Sequence, residues 1–189
     1  MSSIFSDPFW RRGSTLLTGE PIELDANGNP VAGTEVVGQV KAFQDVSPTG
    51  HGTRHSNKLC YCVAVRYTGS TVSDASTVAG KRYALNAAQT EISALRTKAN
   101  ADASVPSGIL DEYLTGELRQ NDIVWLVVKG PADTVVTGSI SAGGNVGGHA
   151  TTAGNGAAAG GSNSAVIDGT ALAAAANGKC RVNLHCDFI

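Results

Sequence analysis

Asp122-Ile123-Val124-Trp125-Leu126-Val127-Val128-Lys129-Gly130-Pro131 decides the fold. From Ile123 to Val128 every residue is apolar, so neither face of the run is left for water. It reads as a strand covered on both sides and as the centre of the core. Lys129-Gly130-Pro131 reads as its end, because proline cannot donate to a central ladder.

The neighbouring patterns supply partners for that strand. Leu59, Tyr61, Val63, Val65 and Tyr67 alternate with Cys60, Cys62, Ala64 and Arg66, which predicts a half-buried antiparallel strand over 59–67. Shorter strands are expected at 35–43, with Val36, Val40 and Ala42 on one face, and at 81–85. Near the other end Cys180, Val182, Leu184 and Cys186 share one face of a terminal strand, and Arg181, Asn183 and His185 share the other. Asn177-Gly178 is a turn signal just before it. Trp125, Val127, Val182 and Leu184 are the expected core scaffold.

One helix is expected, over 86–100. Asn86 can cap it, and Ala88, Ile92 and Leu95 stand at i, i+4 and i+7. Thr90, Ser93 and Thr97 are poor helix formers and weaken the pattern. Residues 44–58 and 69–80 read as loops, 109–114 as a short extended or turn segment, and Asp111-Glu112 as solvated charges. From Gly138 to Ser164 every residue except Ile140, Val146 and His149 is Gly, Ala, Ser, Thr or Asn, and 134–167 carries no charge. Such composition suits a linker. Its place between two strand signals favours instead a long excursion with a few short strands, ordered mainly against a neighbour.

The 189 residues suit one domain plus an arm. The arm is 1–33, broken by Pro8, Gly13, Gly19, Pro21, Asn27-Gly28-Asn29-Pro30 and Gly33. Phe5, Phe9 and Trp10 are apolar anchors within it, which either dock on a partner or cap the chain's own core. The domain is 34–189. The fold class is mainly β: a small β-barrel or β-tulip-like domain with one short helix and long Gly/Ser/Ala-rich loops.

Composition and spacing argue against several chemistries. A net charge of −2 is opposite to the basic footprint of a nucleic-acid binder, and Arg11-Arg12 is too small a patch to reverse it. No stretch approaches a membrane span. Met1-Ser2-Ser3-Ile4-Phe5-Ser6-Asp7-Pro8 lacks the basic and apolar regions of a signal peptide, so the product is expected to stay in the cytosol that makes it or to leave by lysis. His51, His55, Cys60 and Cys62 put four potential zinc ligands within twelve residues. The Cys-x-Cys spacing sits inside a strand pattern, however, where structural zinc sites use Cys-x2–4-Cys knuckles. Free, partly buried thiols are the plainer expectation, with a disulfide from Cys60 or Cys62 to Cys180 or Cys186 as an alternative. His185 lies near Asp168 and Asp187 in sequence, but nothing marks an activated serine. Gly143-Gly144-Asn145-Val146-Gly147-Gly148 lacks the lysine and helix of a phosphate loop. No catalytic or metal residue and no cofactor is assigned.

Residues 121–189 carry a resemblance. A Val-Trp strand at 124–125 precedes a Gly/Ala-rich section. Gly169-Thr170-Ala171-Leu172-Ala173-Ala174 and Gly178-Lys179-Cys180-Arg181-Val182-Asn183-Leu184 follow it. This order resembles the C-terminal part of tailed-phage head decoration, or cement, proteins. Asp168 stands where that family often has Gly, the Gly-rich section is longer here, and the first 120 residues do not match by motif. The resemblance implies a non-enzymatic bacteriophage structural protein. Such a protein is made in the bacterial host's cytoplasm and sits on the outside of the capsid. It implies binding to the major capsid protein and to itself, as a homotrimer or a dimer, with no nucleic acid or membrane partner. Phe5, Phe9, Trp10, Arg11 and Arg12 are the expected capsid contacts. Two alternatives are carried forward: another virion β-module, such as a tail- or fibre-associated adhesin, and a zinc-stabilised module using His51, His55, Cys60 and Cys62.

Overall fold

The central apolar run becomes part of a strand shared by a closed ring of the sheet and by its remaining strands. The computed structural model describes residues 37–46, 54–95, 107–114, 116–159 and 167–185. These residues are mainly β, and no helix of seven or more residues occurs among them. The strands are β1 (Val40–Val46), β2 (Arg54–Tyr67), β3 (Arg82–Leu85), β4 (Glu91–Leu95), β5 (Ser107–Leu110), β6 (Ile123–Val135), β7 (Asn145–Gly148), β8 (Gly156–Ala158), β9 (Gly169–Ala171) and β10 (Lys179–His185). They form one sheet in the order β1-β2-β4-β3-β5-β6-β10-β9-β7-β8. Because β2 also pairs with β6, the five strands β2, β4, β3, β5 and β6 close a ring. The remaining strands nearly close another. β8 returns to the end of β6, where Val136 bridges Gly156 and the Thr137 N–H donates to the Gly156 carbonyl at 2.9 Å.

The expectation that the central run is covered on both faces holds. Ile123, Trp125 and Val127 pack with Phe43, Cys60, Cys62, Val182 and Leu184. Val124, Leu126 and Val128 point the other way, among Val63, Val65, Tyr83, Leu85 and Ile92. Each fully buried side chain of this size contributes about 1.5–3 kcal/mol. The same division applies to β2. Cys60, Cys62 and Ala64 are as buried as Val63, Val65 and Tyr67, so β2 is a two-faced strand rather than the half-buried one expected. It also begins earlier, at Arg54, and shortens the loop expected over 44–58.

The expected stop at Lys129-Gly130-Pro131 is overturned: β6 runs on to Val135. At this point the strand changes partners. The register with β2 slips by one residue between Lys129 and Val127, a bulge, while β10 pairs from Lys129 to Val135. Gly130, at φ +92°, lets the chains pass closely, since a Cβ there would lie 2.3 Å from the Leu59 carbonyl oxygen. The Asp133 and Val135 N–H groups point away from β10, to the Glu112 carboxylate and the Gly80 carbonyl. By alternation Pro131 lacks its N–H on that same side, where no described strand needs a donor.

The helix expected over 86–100 is also overturned within its described part. Residues 86–90 form a turn and Glu91–Leu95 is β4, antiparallel to β3 and parallel to β2. Asn86 caps the turn: its Oδ1 accepts from the N–H groups of Thr90 (2.9 Å) and Glu91 (3.2 Å). Gln89 has φ +58°, which no right-handed helix accommodates. Ile92 is buried between strands while Ala88 is exposed, so the i, i+4 spacing did not mark one face.

β1 is shifted from the 35–43 pattern, and its buried residues are Phe43 and Asp45, with Val40 and Ala42 exposed. The long excursion does hold short strands, β7 and β8. Its described part is ordered against the chain's own core, however, because Ile140, Val146 and Ala157 are buried.

Candidate functional site

The connections 137–144 and 172–178 lie side by side at one end of the β6-to-β10 half. Their backbones are bonded together. The Ala175 N–H donates to the Ile140 carbonyl (2.9 Å), the Gly143 N–H to Ala171 (2.8 Å), and the Val136 N–H to Gly178 (2.8 Å). Ile140 is buried in the core and Ala175 packs against it, so both connections are pinned from beneath. Gly138 and Gly143 have φ +84° and +77°, and a Cβ at either would meet nothing within 4 Å. Glycine is there for the backbone turn and not for packing. Asn177 and Gly178, at φ +52° and +72°, form the expected two-residue turn, closed by mutual Ala176 and Lys179 hydrogen bonds.

The upper surface of these connections is exposed, uncharged and made of small residues: Ser139, Ser141, Ala142, Ala173 and Ala174, with Leu172 41% exposed among them. Small side chains let a partner's backbone come close. A fixed backbone loses little conformational entropy on binding. Leu172 is the one large apolar anchor.

Charge is concentrated elsewhere, in two buried arrangements that sequence reasoning missed. Arg181 on β10 meets Asp45 on β1, Asp133 on β6 (3.0 Å) and Glu112 (3.6 Å). Ser56 donates to the second oxygen of Asp45 at 2.7 Å. Burial opposes the Arg181 charge. The Asp45 hydrogen bond and the charges of Glu112, Asp133 and Asp45 outweigh it and hold the guanidinium above its ordinary value. Arg82 on β3 pairs with Asp168 at 2.5 Å, both nearly inaccessible to solvent, and ties the ring to the segment before β9. Asp111 and Glu112, expected as solvated charges, are buried. The Asp111 N–H donates to the Trp125 carbonyl at 3.1 Å, and Glu112 takes the Asp133 N–H that no described strand reaches. The only sequence cue was Asp45, a charge at the same parity as Phe43.

Trp125, Val127, Val182 and Leu184 are buried in one cluster, and Phe43 meets Trp125 edge-on at 5.2 Å. The arm 1–33, with Phe5, Phe9, Trp10, Arg11 and Arg12, lies outside the described residues, as do His51, the His55 side chain and Cys186. Cys60 and Cys62 face the core. Cys60, Cys62 and Cys180 form no disulfide with one another, which corrects that alternative among these three. The Cys60 thiol donates to the Phe43 carbonyl at 3.3 Å, and burial pushes the Cys180 thiol above its ordinary value. Among the described residues no group of three or more His, Cys, Asp or Glu is placed to hold a metal ion. The His185 imidazole lies 3.5 Å from the Thr170 hydroxyl, while the Asp168 carboxylate is taken up by Arg82. No described helix is long and apolar enough to cross a membrane.

Comparison with protein-family models, with curated proteins and with solved structures finds no match to this chain.

Proposed function

We propose that this chain is a bacteriophage capsid decoration protein. It binds the outer surface of the assembled head, bridges neighbouring capsomers and performs no catalysis. The observation that carries the reading is the pinned, uncharged loop end at 137–144 and 172–178, within the region whose sequence resembles decoration proteins. Its partners are the major capsid protein and further copies of itself. The N-terminal residues Phe5, Phe9, Trp10, Arg11 and Arg12 are the second proposed contact. No cofactor takes part.

The mechanism is thermodynamic. A protein that binds the assembled shell and not its free subunits stabilises the shell by mass action. Burying the exposed part of Leu172 is worth only about 1 kcal/mol, so each contact is weak. Many copies on a symmetric lattice add their contacts through avidity. The test is co-sedimentation of the purified chain with assembled heads lacking it, beside unassembled capsid protein. Binding to heads and not to free subunits is expected. Failure to sediment with any head removes the reading, and retention on tails instead selects the tail-module alternative.

A further inference from the structure

The described chain carries Asn-Gly twice, at Asn155-Gly156 and at Asn177-Gly178, and the fold holds the two pairs in opposite ways. Asn155 and Gly156 are built in. The Asn155 Nδ2 donates to the Thr137 hydroxyl at 2.8 Å, and the Asn155 carbonyl accepts from the His149 N–H at 2.8 Å. Gly156 is buried at the start of β8, and its carbonyl accepts from the Thr137 N–H. A Cβ on it would meet the Arg82, Val136 and Val146 side chains at 3.3 Å. Asn177 and Gly178 are both exposed, at the centre of the turn before β10. The flanking Ala176 and Lys179 are held by their mutual hydrogen bonds, and the Gly178 carbonyl by the Val136 N–H. The peptide between Asn177 and Gly178 is left out of this bonding. Among the described residues nothing accepts from the Gly178 N–H and nothing donates to the Asn177 carbonyl. A Cβ on Gly178 would meet nothing within 4 Å, so the space around its nitrogen is open.

We propose that Asn177 is a site of spontaneous deamidation in the folded chain and that Asn155 is not. The proposal stands apart from capsid binding. Asparagine is among the thermally labile residues, because the next backbone nitrogen can reach its side-chain amide carbon. Glycine puts no Cβ in the way of that approach. The Gly178 nitrogen attacks Asn177 Cγ. The N–Cγ bond forms and the Cγ–Nδ2 bond breaks. The amide nitrogen leaves as ammonia and takes the proton that the Gly178 N–H gives up. Water then opens the resulting succinimide. Attack at Cγ leaves an ordinary aspartate, and attack at the main-chain carbonyl leaves isoaspartate, with the main chain routed through the side chain. No oxidant or reductant takes part. Both products place a carboxylate beside the uncharged surface of 172–178. Isoaspartate also adds a methylene to the main chain of a two-residue turn, which disrupts the pairing of Ala176 with Lys179. At Asn155 the same reaction first requires the Thr137 hydrogen bond to break and the buried Gly156 to leave its place between Val136 and Val146.

The test ages the full folded chain, without capsids, in mildly alkaline buffer, where the Gly178 nitrogen loses its proton more readily. Samples taken over days are cleaved before aspartates, which separates 133–167, holding Asn155, from 168–186, holding Asn177. Fragmentation mass spectrometry should find NH2 replaced by OH at residue 177, as a mixture of aspartate and isoaspartate. Asn155 should react at least about tenfold more slowly, because local opening must come first. The chain kept unfolded in guanidinium should lose that difference, since both sites are then the same dipeptide in open chain. Asn177→Gln should remove the change at 177. A folded chain in which Asn177 stays intact overturns the proposal. So does Asn155 reacting as fast as Asn177 in the folded chain, or a difference between them that persists in guanidinium. These readings come from the unaltered chain, so a misfolded variant does not spare the proposal. Heads take no part in the measurement, so its failure and the failure of capsid binding are separate results.

Discussion

Replacing Trp125 with alanine removes the largest side chain of the wall between the two halves of the sheet. The indole is 2% exposed and meets the Phe43 ring edge-on, with centroids 5.2 Å apart and planes at 70°. Truncating a buried aromatic costs about 3–5 kcal/mol, as lost transfer energy plus the residual cavity. About 0.5–1.5 kcal/mol of that belongs to the edge-to-face pair. A domain of this kind has about 5–15 kcal/mol in total, so the variant is expected to be barely folded or unfolded at 25 °C. Urea unfolding followed by far-UV circular dichroism reads the effect. With a slope near 2 kcal/mol/M, a 4 kcal/mol loss moves the midpoint down by about 2 M. A cycle with Phe43→Leu should show coupling of at least about 0.5 kcal/mol, because the rings touch. A loss under about 1 kcal/mol, or additive effects of the two changes, would refute the burial of Trp125 against Phe43 in the core.

Leu172→Lys should leave stability within about 0.5 kcal/mol yet reduce co-sedimentation with heads; unchanged binding would move the contact off the loop end. Arg181→Met strands the buried Asp45 carboxylate and should cost about 3–5 kcal/mol in chemical denaturation. The double variant Arg181→Met with Asp45→Leu should recover part of that loss. Burial, with the Tyr67 charge adding to it, holds the Tyr83 phenol above its ordinary value; burial, then the Asp133 charge, does the same for the Cys180 thiol. A raised value means the folded chain keeps a proton that the unfolded chain gives up. The stabilisation is therefore full below the unfolded values, about 8.5 for the thiol and 10 for the phenol, and is lost as pH rises past them. Melting temperature should fall on that alkaline side, less steeply in Tyr83→Phe and Cys180→Ala. Removing residues 1–20 should leave the melting temperature unchanged and weaken association with heads; a lost fold would place the arm in the core.

Local chemistry made several elements legible. The unbroken apolar run at 123–128, the alternation at 59–67, the face shared by Cys180, Val182 and Leu184, and the Asn177-Gly178 turn each state their structure within a few residues. What was hidden depends on distant partners. Ile92 and Leu95 fit a helix by spacing, and only the strands on either side of β4 make them β. Pro131 looked like a terminator because nothing local shows that β6 exchanges β2 for β10 there. Arg181 with Asp45, and Arg82 with Asp168, join residues far apart in the chain, and sequence spacing carries no sign of either pair. The low charge of 134–167 pointed to the loop end. The backbone bonds from Ala175 to Ile140 and from Gly143 to Ala171 that make it rigid did not show in composition.

The central claim is that this chain coats the outside of a phage head through its uncharged end. An electron cryo-microscopy map of the native particle tests it most directly. The account predicts density for this β fold on the outer face of the shell, at contacts between capsomers, with 137–144 and 172–178 turned toward the capsid. A shell bare of such density, or the fold found only on the tail, would contradict it.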